Sequence, residues 1–148
     1  MTFNSKKEKL IFYNLPVILF ILLPFFLITG PFLSDLSVSL ICLIFLIYCT
    51  KKKNFKYFQN KFFYIFLIFY AYLITITLIY NFNKDSLGTA FVFVRYGIFV
   101  IAIIALLQTN DRFIKYFFYC ILICFTALVF DGFYQYFFEE NVLGFRSG

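Results

Sequence analysis

Phe113-Ile-Lys-Tyr-Phe-Phe-Tyr-Cys-Ile-Leu-Ile-Cys-Phe-Thr-Ala-Leu-Val-Phe-Asp-Gly-Phe-Tyr-Gln-Tyr-Phe-Phe138 decides the fold of this chain. From Tyr116 to Phe130 it carries no charge, and with its flanks it exceeds the ~20 residues that take a helix across a bilayer core. The run is continuous rather than alternating. That favours a helix over a barrel strand, because backbone groups in lipid must find their partners within the segment.

Four more runs of this kind precede it, at about Leu10–Ile28, Asp35–Cys49, Phe62–Tyr80 and Thr89–Leu107. Pro16 and Pro24 predict a kink or broken end in the first. Gly30-Pro31 breaks the chain after it, and Ser34-Asp35 reads as a helix cap. The second run is short and can recruit Phe32 and Leu33. Thr50–Lys61 is a loop whose Phe55, Tyr57 and Phe58 suit a membrane interface. Of the 148 residues, 64% are hydrophobic and 14% charged, and mean hydropathy is +0.92. A soluble domain needs more polar surface than that. The expected fold is an all-α, multi-pass integral membrane bundle of about five helices, with residues 1–148 forming one transmembrane domain. The amino-terminal run is too long for a signal peptide and lacks a small-residue cleavage site.

The net charge of +6 does not point to nucleic acid, because the basic residues lie in short loops and set topology. Lys6, Lys7, Lys9, Lys51, Lys52, Lys53, Lys56, Lys61, Arg112 and Lys115 fall on one side of the expected helices, and Lys84 and Arg146 on the other. By the excess of positive charge inside, the amino terminus is expected to be cytoplasmic and the carboxy terminus on the outer, periplasmic side. Cys42, Cys49, Cys120 and Cys124 lie in or beside apolar runs without metal-ligand spacing, and the chain has no histidine. They read as buried free thiols. No metal or other cofactor is expected.

Two ionisable residues fall inside expected spans. Arg95 and Asp131 each lie about seven residues from an outer helix end, roughly 10 Å deep at ~1.5 Å per residue. Each alone costs about 2.5–3.5 kcal/mol at mid-membrane and less nearer the interface. Matched depth on consecutive helices predicts an Arg95–Asp131 pair. Three roles stay open for Arg95: a staple between helices, a side chain snorkelling to headgroups, or the lining of an outward polar cavity that grips phosphate with its planar fork. Asp131, Tyr134, Gln135 and Phe138 follow helical spacing and form one stripe, which fits helix packing or a substrate groove. Glu139 and Glu140 read as solvated. Gly144-Phe-Arg146-Ser-Gly148 reads as a tight turn with Arg146 pointing back at the helix ends.

The order and spacing of these pieces resemble a known family. Asp131-x-x-Tyr134-Gln135 followed by Gly144-x-Arg146-Ser-Gly148 is similar to a segment of the O-antigen ligase and O-antigen polymerase (Wzy-like) family. Thr29-Gly-Pro-Phe-Leu-Ser-Asp35 and Val94-Arg95-Tyr96-Gly-Ile-Phe99 are similar to upstream pieces of such proteins. Glu139-Glu140 departs from the family, whose members often carry a glycine in that stretch. The resemblance implies a bacterial inner-membrane glycosyltransferase active on the periplasmic face. Such an enzyme takes glycan from undecaprenyl diphosphate and passes it to lipid A-core or to a second carrier-linked glycan. It implies Arg146 first and Arg95 second as contacts to the diphosphate, with Asp131, Tyr134 and Gln135 as orienting groups. It also implies that this chain corresponds to the amino-terminal half of a larger protein, with the family's long periplasmic loop downstream and no catalytic residue in the present stretch. Two other readings remain, a transporter or flippase portion with an outward polar cavity and a non-catalytic small membrane protein.

Overall fold

The structure, a computed structural model, describes residues 5–80 and 84–138. All regular structure among them is helical. Five helical stretches are long and apolar enough to cross a membrane, as expected.

The first span is Lys6–Thr29, built of α1 (Lys6–Lys9), a π turn (Leu10–Asn14) and α2 (Leu15–Thr29). Ser5 caps it, its hydroxyl accepting from the Glu8 N–H at 3.1 Å. The π turn has a local cause. Pro16 lacks an N–H, and in a regular helix its ring would press on the carbonyl one turn back. Here the Leu15 N–H donates instead to the Leu10 carbonyl, which widens the turn ahead of the proline. Pro24 lies inside α2.

Gly30 alone joins α2 to α3 (Pro31–Lys52). Its φ of 150° is open to glycine and strained for other residues. Pro31 then takes the first helical position, where a missing N–H costs nothing. Helix α3 therefore starts a turn earlier than the sequence reading placed it, and Ser34 and Asp35 lie inside it rather than capping it. The Ser34 hydroxyl donates to the Pro31 carbonyl at 2.9 Å. The helix closes on Lys53 in the left-handed conformation, with the Asn54 N–H donating to the Cys49 carbonyl at 3.1 Å.

A 3-10 turn (Lys56–Phe58) leads to α4 (Lys61–Tyr80). In that turn Tyr57 and Phe58 pack on Phe45, ring centroids 5.9 and 6.0 Å away, while Phe55 stays exposed. The fourth expected helix is divided into α5 (Lys84–Val92) and α6 (Val94–Leu107), broken at Phe93. Helix α7 (Phe113–Phe138) spans the fifth expected run.

Helix α2 lies between α3 and α7, α3 also contacts α6, and α6 reaches α4. Helix α3 is the centre. Its buried residues Ser34, Ser37, Val38, Ile41, Cys42, Phe45, Tyr48 and Cys49 recur at helical spacing. Of these, Ile41, Phe45, Tyr48 and Cys49 form one core with Phe12 and the α6 residues Ile101, Ala102 and Ala105. A second cluster joins Tyr13, Val17, Leu106 and Phe113. The starts of α3 and α6 meet at Asp35 and Arg95, and their later residues share one core, so the two helices run in the same direction.

The bundle has two chemically distinct ends. One holds the Gly30 turn, Asp35 and Arg95. At the other, Lys52 pairs with Glu8 at 3.2 Å, Lys51 lies over the Phe12 ring at 5.5 Å, and Lys9 and Arg112 border one surface hollow.

Candidate functional site

Arg95 sits in the first turn of α6, two residues past the break at Phe93. There the Phe93 N–H donates to both Thr89 and Ala90, and the Tyr96 N–H donates back to Phe93 at 3.1 Å. The tightened turn aims Arg95 and Tyr96 together at α3. The Phe93 and Tyr96 rings meet edge to face at 5.2 Å.

The guanidinium lies along one ridge of α3. Its Nη2 donates to Asp35 Oδ2 at 2.7 Å and to the Tyr96 hydroxyl at 3.1 Å. Nη1 donates to Ser39 Oγ at 3.3 Å. The Tyr96 hydroxyl in turn donates to Asp35 Oδ1 at 3.3 Å, which closes a triangle. The guanidinium carbon lies 5.0 Å from the Tyr96 ring centroid. Below, the Cys42 thiol donates to the Arg95 backbone carbonyl at 3.1 Å. Asp35, Ser39 and Cys42 stand at i, i+4 and i+7, so one face of α3 reads the arginine's side chain and backbone together.

The cluster is tied but not sealed. The Arg95 side chain is 24% exposed and that of Asp35 52%. The buried Arg95 Nε makes no hydrogen bond among the described residues. A charge-assisted donor set that includes the unused Nε hydrogen, beside an accessible carboxylate, can accept an anion if the carboxylate yields or shares the fork.

The Arg95–Asp131 pair expected from the sequence is not formed, because Arg95 bonds to Asp35 instead. The reason is packing. Helix α6 lies on α3, whereas α7 lies on α2, so equal depth on consecutive helices does not make neighbours. Asp131 and Gln135 do share a face of α7, Gln135 Nε2 donating to Asp131 Oδ2 at 2.9 Å. Tyr134 is exposed on the same helix. This stripe is separate from the Arg95 cluster. Arg146, with Glu139, Glu140 and Gly144–Gly148, lies outside the described residues.

Asp35, Ser39 and Cys42 were missed by the sequence reading. Placing the helix start at Asp35 made a cap of a residue that sits one turn inside. The available signal was Pro31, a first-position residue, which sets Asp35, Ser39 and Cys42 on one face. Cys42, Cys49 and Cys124 are buried, and all four cysteines are free thiols.

Fold and cluster together describe a helical bundle with five potential spans and an arginine clamped at one end of its central helix pair. Comparison with known protein families, characterised proteins and solved structures gives no match.

Proposed function

We propose that the chain belongs to a membrane glycosyltransferase that transfers or polymerises glycan from an undecaprenyl-diphosphate carrier, with lipid A-core or a second carrier-linked glycan as acceptor. The observation that carries this reading is the Asp35–Arg95 contact. Two of the segments behind the family resemblance, Thr29–Asp35 and Val94–Phe99, meet there through Asp35, Arg95 and Tyr96. Residues distant in sequence but joined at one polar point fit a shared chemical task.

The task suits the chemistry. When lipid diphosphate leaves, negative charge develops on its bridging oxygen, and a preorganised guanidinium stabilises that charge. Asp35, Ser39 and Tyr96 hold the Arg95 fork in place before substrate arrives. Arg146 is the first candidate for the diphosphate contact and Arg95 the second, with Asp131, Tyr134 and Gln135 as orienting groups. The gathering of lysines at the far end of the bundle supports a cytoplasmic amino terminus and a periplasmic Arg95 end in a bacterial inner membrane. A transporter or flippase is the second reading. It draws on the break at Phe93, since discontinuous helices next to a charged site mark many transporters.

The test is retention of undecaprenyl diphosphate against undecaprenol by the purified full chain, read by native mass spectrometry. Preferential retention of the diphosphate, lowered roughly tenfold by Arg95→Lys through loss of the bidentate fork, is the expected result. Equal retention of the alcohol, or no effect of R95K, contradicts a diphosphate role for Arg95.

A further inference from the structure

The other end of α6 borders a different kind of site. Gln108 follows the last turn of that helix, roughly 20 Å along the axis from Arg95 at ~1.5 Å per residue. There Lys56, Tyr57, Asn60, Lys61 and Gln108 surround a hollow of about 390 Å³. Its lining holds two cations and no carboxylate. Its apolar wall is made by Ile101 and Ile104.

The hollow does not end there. Asn60, Ile101 and Ile104 also line an apolar slot of about 60 Å³ between α4 and α6, walled by Phe63, Phe66 and Gly97. Gly97 lets α4 and α6 pack closely here, because a Cβ at that position would overlap the Phe66 ring. A cationic mouth thus adjoins a small apolar slot between two membrane-length helices. That shape matches an amphiphile whose head is an anion.

We propose that this is a seat for an anionic glycerophospholipid, with its phosphodiester between Lys56 and Lys61 and the start of one acyl chain beside Gly97. Three features fit the headgroup. Both lysines are exposed, so they swing to meet a phosphate without a burial cost. The amides of Asn60 and Gln108 line the same mouth and can donate to phosphate oxygens. Helix α4 begins at Lys61, which places the positive end of its dipole at the mouth. The absence of a lining carboxylate discriminates against zwitterionic headgroups, whose ammonium would meet only lysines. Neither Arg95 nor Asp35 lines this hollow, so the inference stands apart from the glycosyltransferase reading.

The full chain, purified and offered equal amounts of phosphatidylglycerol and phosphatidylcholine, is to be examined by native mass spectrometry. Each basic contact near a membrane surface is worth roughly fivefold in affinity. Phosphatidylglycerol should therefore be retained over phosphatidylcholine, and Lys56→Ala with Lys61→Ala should lower its retention roughly tenfold or more. Lys6→Ala with Lys7→Ala removes the same charge from exposed residues outside the hollow and should leave retention unchanged. Gly97→Leu should lower retention with both lysines intact; should that variant misfold by circular dichroism, the lysine pairs decide the matter alone. Arg95→Lys should not alter it. Inorganic phosphate in large excess should not displace the lipid. Equal retention of the two lipids, an equal loss in the Lys6/Lys7 variant, or displacement by inorganic phosphate would each overturn the proposal, the last by reducing the site to a free-anion hollow.

Discussion

Helices α3 and α7 have the same mean hydropathy, 2.2 over their most apolar stretches, yet 44% of that stretch is buried in α3 and 11% in α7. Apolarity therefore determines which segments can enter a membrane but not which of them pack together. The difference lies in side-chain size along one face. Helix α3 brings Ser34, Ser37, Cys42 and Cys49 to its buried stripe and meets Ala102 and Ala105 of α6. Lipid tails are as apolar as leucine, so helices in membranes associate through close packing of small residues and through hydrogen bonds. The hydroxyls of Ser34 and Ser37 donate to carbonyls of their own helix at 2.9 and 2.8 Å, so burying them leaves no donor unmet. Helix α7 instead carries Tyr116, Phe118, Tyr119, Phe125, Phe130 and Phe133 outward, a surface suited to lipid.

The largest expected contrast comes from removing one tyrosine ring from each helix. Tyr48 in α3 is 2% exposed and Tyr116 in α7 63%. Tyr48→Ala should cost about 3 kcal/mol and Tyr116→Ala well under about 1 kcal/mol, read as shifts in the unfolding midpoint on titrating mixed micelles with a denaturing detergent. Similar shifts for both would remove the distinction between core and lipid-facing helices.

Glycine sharpens the contrast next. Gly30→Ala should cost about 2 kcal/mol, because alanine resists the positive φ that links α2 to α3. Gly132→Ala in α7 meets nothing within 4 Å and should be neutral or stabilising by up to about 1 kcal/mol through helix propensity. The same detergent titration serves. A destabilisation of equal size at Gly132 would mean that α7 has close neighbours on that face.

Smaller again is the pair of acidic residues. Asp35→Asn removes a charge from a partly exposed ion pair and should cost about 1 kcal/mol. Asp131→Asn leaves an amide able to bond Gln135 and should cost a few tenths of a kcal/mol. An effect smaller than that of Asp35 and of opposite sign is expected at Lys53, where Lys53→Gly relieves a left-handed residue and should gain about 0.5 kcal/mol. Thermal melts of the variants measured side by side resolve the order, and a reversal of Asp35 and Asp131 would put the important carboxylate on α7.

The existence of the five spans was legible because hydropathy is a local property, and Phe113–Phe138 was found with the bounds the structure has. Helix ends were less legible. Pro31 extended α3 by a turn, and Phe93 broke the fourth run, where nothing in Phe91-Val-Phe-Val-Arg95 marks a stop. Helix neighbours were the least legible, since a residue facing lipid and one facing protein are equally apolar. Arg95 was identified as a residue needing a partner, but the partner was sought on α7 by depth. It lies on α3, because the small-residue faces of α3 and α6 bring those helices together. That one packing choice turned Asp35 from a cap into the centre of the candidate site.

The decisive measurement is charge exchange at Arg95, scored by melting temperature. Arg95→Asp alone should lower the melting temperature by about 4 °C or more, the scale of a lost charge pair in a domain of this size. Adding Asp35→Arg should restore most of that loss, and adding Asp131→Arg should restore none. Rescue by Asp131→Arg, or a single Arg95→Asp change that leaves the melt untouched, would contradict the α3–α6 clamp.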